Sequence, residues 1–279
     1  MKFTITLFLA LFLLFTIINA KTGSMFSNKS STARMAMKAK TKSVWQWKTR
    51  NGFIRDASMN TYSEYVAIAG NSILWGIDTY RNRWRQYPGG KRGVLAAAFS
   101  NENVVWICRG NVIEKFIPKF SHKFYGRWVR VPGCCRDIDI GANGFVAVIG
   151  CDNHTWGYGI WRNLGGDGRR WARIPGEADR IAVGSRGQIV VKNRGKRFFW
   201  KYSWNANWIM TGGAGNDVAL TNDGKMVVIG TDYHVYHSTT VGPNVHWVKN
   251  NGMGTAISAR HIGKNGLIVA GMDRKPWWS

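Results

Sequence analysis

The chain has 279 residues, with 39 Lys and Arg against 15 Asp and Glu, a formal net charge of +24, 15 Trp, 33 Gly and four Cys. This length suits one large all-β domain or two small ones, and the basic excess favours anionic partners. After the first twenty residues no segment is long and apolar enough to span a bilayer, which excludes a multispanning membrane protein.

Residues 1–20 read MKFTITLFLALFLLFTIINA. One Lys precedes an unbroken apolar stretch that ends at a small residue, which is the pattern of a secretory signal peptide. A membrane anchor is the alternative, because the apolar stretch reaches the short end of the spanning range. The sequence therefore predicts a secreted protein, either extracellular or held in the lumen of a secretory granule.

Residues 21–43 are rich in Lys, Arg, Ser and Thr and contain no Asp or Glu. Such a composition cannot bury enough apolar surface to fold, so it predicts a flexible basic arm or a propeptide. Two sequons, Asn28-Lys29-Ser30 and Asn153-His154-Thr155, are expected glycan acceptors in a secreted chain.

From residue 44 onward one unit recurs six times, and each copy begins with a Trp at spacings of 37, 44, 43, 37 and 39 residues. The six residues are Trp47, Trp84, Trp128, Trp171, Trp208 and Trp247. A short strand then leads into a turn that is often Asn-Gly or Asp-Gly, the strongest short hairpin signal. In the first copy we assign VAIAGNS (66–72) as this strand and its turn, and ILWGI (73–77) as the second strand.

Most copies continue with a second strand and a third, aromatic one, so each unit has four strands including the Trp-bearing strand. Four-stranded repeats of about 40 residues predict a β-propeller. We expect residues 44–279 to form an all-β, six-bladed propeller of four-stranded antiparallel blades. The first Trp-bearing strand, VWQWKTR (44–50), would complete the last blade beside PWWS (276–279) and close the ring.

The segments WARIPGEADRIAVGSRGQIV (171–190) and WVRVPGCCRDIDIGANGFVAV (128–148) resemble tectonin repeats, and Trp75 and Trp106 match the second repeat Trp. The tectonin family includes tectonin, tachylectin-type lectins and fish-egg-lectin-like lectins. The resemblance covers roughly 44–279. It implies a six-bladed propeller and a secreted lectin of innate immunity that binds bacterial surface polysaccharide or other glycans.

We predict that the repeat Trp residues, together with Trp75 and Trp106, pack between blades, because an aromatic at the same place in every copy is architectural. Aromatic residues outside the consensus are the candidate glycan contacts, with packing against a neighbouring blade as the alternative. They lie in WGYGIW, FWKYSW and DYHVYH, and the candidates are Trp156, Tyr158, Trp161, Trp200, Tyr202, Tyr233 and Tyr236.

Propeller topology places the loops after the second and fourth strands on one face. That face is expected to carry Lys91, Arg92, Arg109, Arg136, Arg180, Arg194, Lys196, Arg197, Arg274 and Lys275. Arg194, Lys196 and Arg197 interleave with aromatic residues and are the candidate anion contacts. A merely solvated face is the alternative. Expected partners are anionic glycans, then an anionic membrane surface, with nucleic acid bound only non-specifically.

The four cysteines, Cys108, Cys134, Cys135 and Cys151, map to one face of neighbouring blades. In an oxidising compartment they predict two disulfides. We favour Cys135–Cys151 with Cys108–Cys134, and the other cross-pairing stays open. A zinc site is not expected, because no His accompanies the cluster.

No nucleophile elbow, metal-binding His pair or phosphate loop occurs, and the acids are dispersed along the chain, for example at Asp137 and Asp217. A glycosidase would need two facing carboxylates. We therefore predict a carbohydrate-binding protein without catalysis, cofactor or metal. A structural or matrix protein that binds polyanions is the alternative, and a propeller glycosidase is a third.

Overall fold

The computed structural model describes residues 47–49, 51–60, 62, 64–78, 83–119, 122–260 and 266–279. These ranges contain strands and turns and no helix, so no helix in them could cross a membrane. The predicted signal peptide (1–20) and basic arm (21–43) lie outside the described residues.

Three separate sheets each have four antiparallel strands in sequence order. The first contains β2 (Ile54–Met59), β3 (Tyr65–Ala69), β4 (Leu74–Asp78) and β5 (Arg83–Gln86). The second contains β6 (Val94–Phe99), β7 (Val105–Arg109), β8 (Val112–Lys119) and β9 (His122–Val131). The third contains β10 (Asp137–Ile140), β11 (Val146–His154), β12 (Gly157–Leu164) and β13 (Arg170–Ala178).

The remaining strands form one ten-stranded sheet that ends with the first strand of the chain. Its strands are β14 (Arg180–Val183), β15 (Ile189–Lys192), β16 (Arg197–Lys201), β17 (Ile209–Leu220), β18 (Lys225–Gly230), β19 (His234–Val241), β20 (Trp247–Ala259), β21 (Leu267–Gly271), β22 (Pro276–Trp278) and β1 (Lys48–Thr49).

Two long strands divide this sheet into four-stranded segments. The start of β17 pairs with β16, as at Met210 and Phe199, whereas its end pairs with β18, as at Val218 and Val228. The strand β20 joins β19 to β21 in the same way. Each long strand is therefore the outer strand of one segment and the inner strand of the next.

The predicted pairing of the first Trp-bearing strand with the last strand is present. Lys48 lies opposite Trp278 and Thr49 opposite Trp277 in an antiparallel register. The hydroxyl of Thr49 also donates to the carbonyl of Pro276 at 3.1 Å. The two ends of the described chain therefore meet in one sheet.

The inner strands contact each other in a cyclic order. The strand β2 contacts β6, β6 contacts β10, β10 contacts β14, β14 contacts β17, β17 contacts β20, and β20 contacts β2. Side chains on one inner strand accept backbone N–H groups of the next. The bonds are Phe99 N–H to Ser58 Oγ (3.0 Å), Ile181 N–H to Asp137 Oδ2 (2.8 Å), Ile257 N–H to Asp217 Oδ2 (2.8 Å) and Met59 N–H to Ser258 Oγ (3.1 Å).

Apolar residues of neighbouring sheets fill the spaces between them. One cluster joins Val190 and Trp200 to Val218, Met226 and Val228, all of them buried. β-Branched and aromatic side chains suit a pleated surface that packs against another sheet. Burying each large side chain contributes about 1.5–3 kcal/mol, so face-to-face packing of the sheets supplies most of the core.

The strand assignment in the first copy was wrong. VAIAGNS contains β3 and ILWGI contains β4, so they are the second and third strands of their sheet, and Trp75 lies in a third strand. The first strand is IRDASM (54–59), whose charged residues hide the apolar pattern. Because the turn after it has no Gly, the hairpin signal was read one strand too late.

All four cysteines are paired, as predicted, but the favoured pairing was wrong. The disulfides are Cys108–Cys135, with Cα atoms 5.3 Å apart, and Cys134–Cys151, with Cα atoms 5.8 Å apart. Adjacent side chains in an extended segment point in opposite directions. Cys135 therefore points into the core beside the buried Cys108, and Cys134 points outward to the half-buried Cys151.

Candidate ligand pocket

The repeat Trp residues each pack on a Gly of the preceding repeat unit. That Gly always stands five residues after the preceding Trp. Each indole lies within 3.7 Å of the position that a Cβ on this Gly would occupy. The pairs are Trp84 on Gly52, Trp128 on Gly89, Trp171 on Gly133, Trp208 on Gly176, Trp247 on Gly213 and Trp47 on Gly252.

The residue before this Gly accepts a hydrogen bond from the same indole in most copies. Trp128 donates to the carbonyl of Pro88 at 2.7 Å and Trp171 to that of Pro132 at 2.8 Å. Trp208 donates to Pro175, Trp247 to Gly212, and Trp47 to the side chain of Asn251. The Gly five residues after each Trp, which follows Pro in three copies, is therefore the packing site for the next Trp, a role that the sequence did not reveal.

One of these junctions contains an open pocket of about 570 Å³ between the third sheet and the strands β15–β17. This junction pocket is lined by Trp156, Ile160, Gly176, Glu177, Val191, Asn193, Gly195, Arg197, Phe199 and Trp208. Its size lies within the range of pockets that hold small ligands. Two of the predicted site residues, Trp156 and Arg197, are among the residues that line it.

Trp156 forms the lip of the junction pocket and is 59% exposed. It lies in the β11–β12 turn, where its N–H donates to Glu177 Oε2 at 2.9 Å and its carbonyl accepts the N–H of Arg194 at 2.8 Å. These bonds tie the turn to its own sheet and to the neighbouring one. The indole is therefore held outward on a fixed backbone.

The predicted basic residues Arg194, Lys196 and Arg197 are all exposed on the β15–β16 turn beside Trp156. Asn193 shapes this turn by accepting the N–H of Arg197 at 3.0 Å. Arg194 donates to Asn153 Oδ1 at 2.7 Å. Within the described residues, none of the three forms a salt bridge with a carboxylate. The rim is therefore cationic and able to pair with an anion.

Polar side chains behind the lip form a connected network. His154 lies between Asp152 at 3.3 Å and Glu177 at 3.8 Å, and Arg173 approaches Asp152 at 3.5 Å. Hydrogen bonds from His154 and Trp161, with the nearby charge of Arg173, outweigh desolvation and hold the pKa of Asp152 below its usual value. These contacts hold the Glu177 carboxylate in the position where it accepts the N–H of Trp156.

Tyr158 and Trp161 lie close to the junction pocket but are engaged with protein groups. The ring of Tyr158 is covered by the guanidinium groups of Arg136 at 4.3 Å and Arg194 at 5.5 Å. Trp161 packs against the core, and its N–H lies 3.5 Å from Asp152 Oδ1. Neither residue lines the junction pocket, and both pack against protein groups next to it.

The prediction that Trp200 contacts a ligand was wrong, because this side chain has no exposed surface. Trp200 points inward from β16 and packs with Val190 and Val228. Tyr202 is exposed, but it follows β16 at the opposite end of its sheet from the β15–β16 turn. The structure therefore separates both residues from Trp156 and Arg197.

Tyr233 and Tyr236 belong to the β18–β19 hairpin and do not line the junction pocket. Tyr233 is exposed in the turn, with a left-handed φ of 66°. The hydroxyl of Tyr236 donates to Asp232 Oδ2 at 2.7 Å, which occupies its polar end. They are not part of the same site.

Two other junctions have pockets of the same construction. A pocket of about 410 Å³ lies between Gly52, Phe53, Trp75 and Trp84, and one of about 300 Å³ lies between Gly252, Trp277 and Trp47. In each, a third-strand aromatic and the repeat Trp face the repeat Gly. The junction pocket differs from both by its rim of Arg residues.

The inner strands bring several acids together, so the expectation of dispersed acids was wrong. Asp56, Asp137, Asp139 and Asp217 line a central cavity of about 40 Å³ with Arg180 and Arg260. Arg180 approaches Asp137 at 3.6 Å and Asp217 at 3.5 Å, so it does not lie on the basic face as expected. Desolvation raises the pKa of Asp56 to about 8 and that of Asp137 to about 6.

This central cavity holds only one or two water molecules by volume. This volume is too small for a sugar ring, and Asp137, Asp139 and Asp217 accept backbone N–H groups of the next inner strand, while Asp56 accepts the N–H of Ala57 on its own strand. Their arrangement serves the packing of the inner strands. Among the described residues, no group of three or more His, Cys, Asp or Glu is arranged to hold a metal ion.

No protein-family model matches the chain, and no curated protein sequence matches it either. Among solved structures, it resembles the β-propeller domain of Cps50 (Swd1) from Myceliophteria thermophila, with a TM-score of 0.57 and 9% identity, over 84% of this chain and 99% of that domain. It also resembles YCF48 from Cyanidioschyzon merolae, with a TM-score of 0.51 and 11% identity, over 83% of this chain and 98% of that one.

The described chain has a β-propeller fold. It is all-β, its sheets are antiparallel and four-stranded or divide into four-stranded segments, and the propellers named above superpose on more than four fifths of it. These likenesses support a β-propeller and not the tectonin-repeat family in particular. At such low identities they show the fold alone.

Proposed function

We propose that this protein is a secreted, non-catalytic lectin that binds anionic glycans at the junction pocket. The observation that carries the proposal is that the exposed indole of Trp156 and the cationic side chain of Arg197 line one pocket together with apolar side chains. An indole face suits the apolar face of a pyranose ring. A guanidinium pairs with a carboxylate or sulfate in a charge-assisted hydrogen bond.

The remaining lining residues suit a sugar rather than a purely apolar ligand. Glu177 and Asn193 provide acceptors for hydroxyl groups, while Ile160, Val191 and Phe199 form the floor. A few placed polar groups on an apolar wall are typical of small-molecule sites. No Arg or Lys is among the residues that line the two similar pockets, and one of them is lined by Asp273, which supports a preference of this junction for acidic sugars.

We also propose that the chain is a six-bladed tectonin-type propeller closed by β1. The cyclic contacts of the inner strands and the seat of Trp47 on Gly252 support this arrangement. The bond from the Met59 N–H to Ser258 joins the first inner strand to the last in the same way. Secretion is proposed from residues 1–20 and is consistent with two disulfides.

A glycan array read at two salt concentrations tests the proposal, with the variants Trp156→Ala and Arg197→Gln. Trp156→Ala should weaken binding of acidic glycans at both salt concentrations, by about 1–3 kcal/mol, the scale of stacking on an aromatic platform. Arg197→Gln should weaken binding mainly at low salt, since screening reduces exposed charge interactions.

Tyr125→Ala is the matched control, because Tyr125 is also an exposed aromatic residue but lines neither the junction pocket nor the other large cavity. It should bind like the unmodified protein. If Trp156→Ala is folded and binds every glycan normally, the junction pocket is not the site. If binding follows net charge alone and no small sugar competes, the protein is a polyanion-binding matrix protein instead.

A further inference from the structure

A second cavity, of about 830 Å³, opens at the end of the molecule opposite the junction pocket. It lies between the second and third sheets, under the turns 100–104, 141–145 and 163–166. These turns connect first to second and third to fourth strands, whereas Trp156 lies in a turn between second and third strands. In an antiparallel meander the two kinds of turn lie at opposite ends of the sheet.

Hydrogen bonds fix the walls of this opposite-end cavity. Val104 N–H donates to Ser100 Oγ at 3.1 Å, and Phe145 N–H donates to Asn143 Oδ1 at 3.1 Å. Asn163 accepts the N–H of Gly168 at 3.0 Å. A cavity with fixed walls loses little entropy when a ligand binds.

Lys115 is a half-buried cation on the wall of the cavity. Its Nζ lies 2.5 Å from the carbonyl of Asp167 and 5.1 Å from the centre of the Trp106 ring. Desolvation lowers its pKa. In the described part of the chain no salt bridge is formed by Lys115. A partly desolvated ammonium that is bonded to one carbonyl keeps two N–H donors, and an anion in the cavity would accept from them.

Arg162 supplies a second cation from the third sheet. Its guanidinium stacks on Trp204 at 3.6 Å, and its Nε is buried without a hydrogen-bond partner among the described residues. A buried donor with no acceptor destabilises the protein, and a ligand oxygen that accepts from it removes that cost. Two cationic side chains with unfilled bonding capacity therefore line one cavity.

Glycines keep the mouth of the cavity open. Gly144, Gly165 and Gly166 have φ angles of 80°, 85° and 71°, and a Cβ on any of them would meet no atom within 4 Å. The side chain of Glu102 is exposed at the rim and carries the one carboxylate of the lining. Its charge disfavours a ligand with several negative charges.

We propose that the opposite-end cavity binds a small, singly charged anion of mono- or disaccharide size, with its oxyanion on Lys115 and Arg162. The amides of Asn101 and Asn143 line the cavity and suit hydroxyl groups of such a ligand. A uronic acid combines one carboxylate with several hydroxyls. This site is separate from the junction pocket and does not depend on it.

Isothermal titration calorimetry with glucuronate, inorganic phosphate and neutral glucose tests the proposal. Glucuronate should bind, and glucose should not. Binding of phosphate alone would mean that the site holds a bare anion and overturns the sugar part of the proposal. Lys115→Met should weaken glucuronate binding at least about tenfold, the effect of losing one charge-assisted hydrogen bond, and Lys115→Arg should restore part of it.

Arg127→Gln is the matched control, since Arg127 is an exposed cation on the adjacent strand β9 outside the cavity. A double variant, Trp156→Ala with Arg197→Gln, removes the junction pocket, which also takes acidic sugars under the proposed function, and should retain glucuronate binding at the opposite-end cavity. Lys115→Met is compared in this background. Loss of binding in the double variant, with normal binding in Lys115→Met, would overturn the proposal. Failure of all three probes to bind at millimolar concentration would also overturn it.

Protection of Lys115 from acetylation gives a readout that needs no variant. Glucuronate should slow acetylation of Lys115 and leave that of Lys119 on the same strand unchanged, as measured by mass spectrometry of the peptides. If Lys115→Met does not fold, this measurement decides the question. Equal acetylation of Lys115 with and without glucuronate would contradict the proposed contact.

Discussion

A single residue pair, one Trp and one Gly, defines each junction between repeats. The indole packs where a side chain on the Gly would lie. In five of the six copies its N–H donates to the residue before that Gly, which belongs to the preceding repeat. The Trp was recognisable from the sequence because it recurs six times. Its partner was not, because two copies replace Pro by Asn and one by Gly, so the Gly alone is constant.

Replacing Gly213 by Ala tests this seat. Gly213 has a φ of 94°, and a Cβ there would lie 2.8 Å from Nε1 of Trp247. We expect Gly213→Ala to lower the unfolding free energy by about 2–4 kcal/mol, combining backbone strain with overpacking. Gly165→Ala is the control, because Gly165 has a similar φ of 85° and open space around it.

Gly165→Ala should lower the unfolding free energy by only the backbone cost of about 1–2 kcal/mol. The difference between the two variants, measured by chemical denaturation, isolates the contact with the indole. Equal losses for Gly213→Ala and Gly165→Ala would show that Trp247 does not need this Gly.

The exposure of the candidate residues was predictable where they lie in or beside turns and was not predictable inside strands. Trp156 and Arg197 flank tight turns, so their exposure follows from the turn signal alone. Trp200 lies inside β16, where exposure depends on which of two alternating faces meets the neighbouring sheet. The sequence near Trp200 is aromatic on both faces and does not distinguish them.

At the scale of elements, the short strand β1 joins the ends of the described chain. Lys48 and Thr49 pair with β22, and Trp47 donates its indole N–H to Asn251 Oδ1 at 3.0 Å. We expect deletion of 44–50 to lower the unfolding free energy by about 3–5 kcal/mol, the scale of losing a packed Trp. It should also cause aggregation, because the deletion exposes the edge of β22.

Deletion of 21–43 is the control, since its composition predicts no contribution to the folded core. Melting temperatures and light scattering of the two deletions distinguish the cases. An unchanged melting temperature after deletion of 44–50 would contradict closure by β1.

Strand order was predictable wherever a Gly-containing turn followed the first strand. Asn143-Gly144 and Asp223-Gly224 fix their hairpins, because both need a residue with positive φ, and these two Gly residues have φ angles of 80° and 83°. The first sheet has no such turn after β2, and there the sequence analysis assigned each strand one position too early.

The disulfide pairing was predicted wrongly for a related reason. Two adjacent cysteines point to opposite faces, and the sequence does not tell which of them points inward.

At the scale of the whole molecule, charge is divided between the inside and the outside. Carboxyl groups of Asp56, Asp137, Asp139 and Asp217 lie around the central cavity, while exposed basic residues dominate the surface. Removing acids from the surface raises the positive potential that a polyanion meets. The inward acids therefore have two effects. They hydrogen-bond neighbouring inner strands, and their absence from the surface makes the surface potential more positive.

The inward acids also predict how stability depends on pH. Desolvation raises the pKa of Asp56 to about 8 and that of Asp137 to about 6, from a value of 3.8 for either group in the unfolded chain. Between pH 4 and 8, roughly, the folded protein therefore holds protons that the unfolded chain has released. Stability should be greatest near the acidic end of this window and fall as the pH rises through it.

We expect the unfolding free energy to drop by about 5 kcal/mol from pH 5 to pH 8, since a pKa difference of one between folded and unfolded protein is worth about 1.4 kcal/mol. Asp56→Asn removes the larger part of this dependence and should flatten the profile measured by urea denaturation. Asp167→Asn, at an exposed turn, should leave the profile unchanged. A profile that rises from pH 5 to pH 8 would show that Asp56 and Asp137 are ionised in the folded protein and that Arg180 neutralises both.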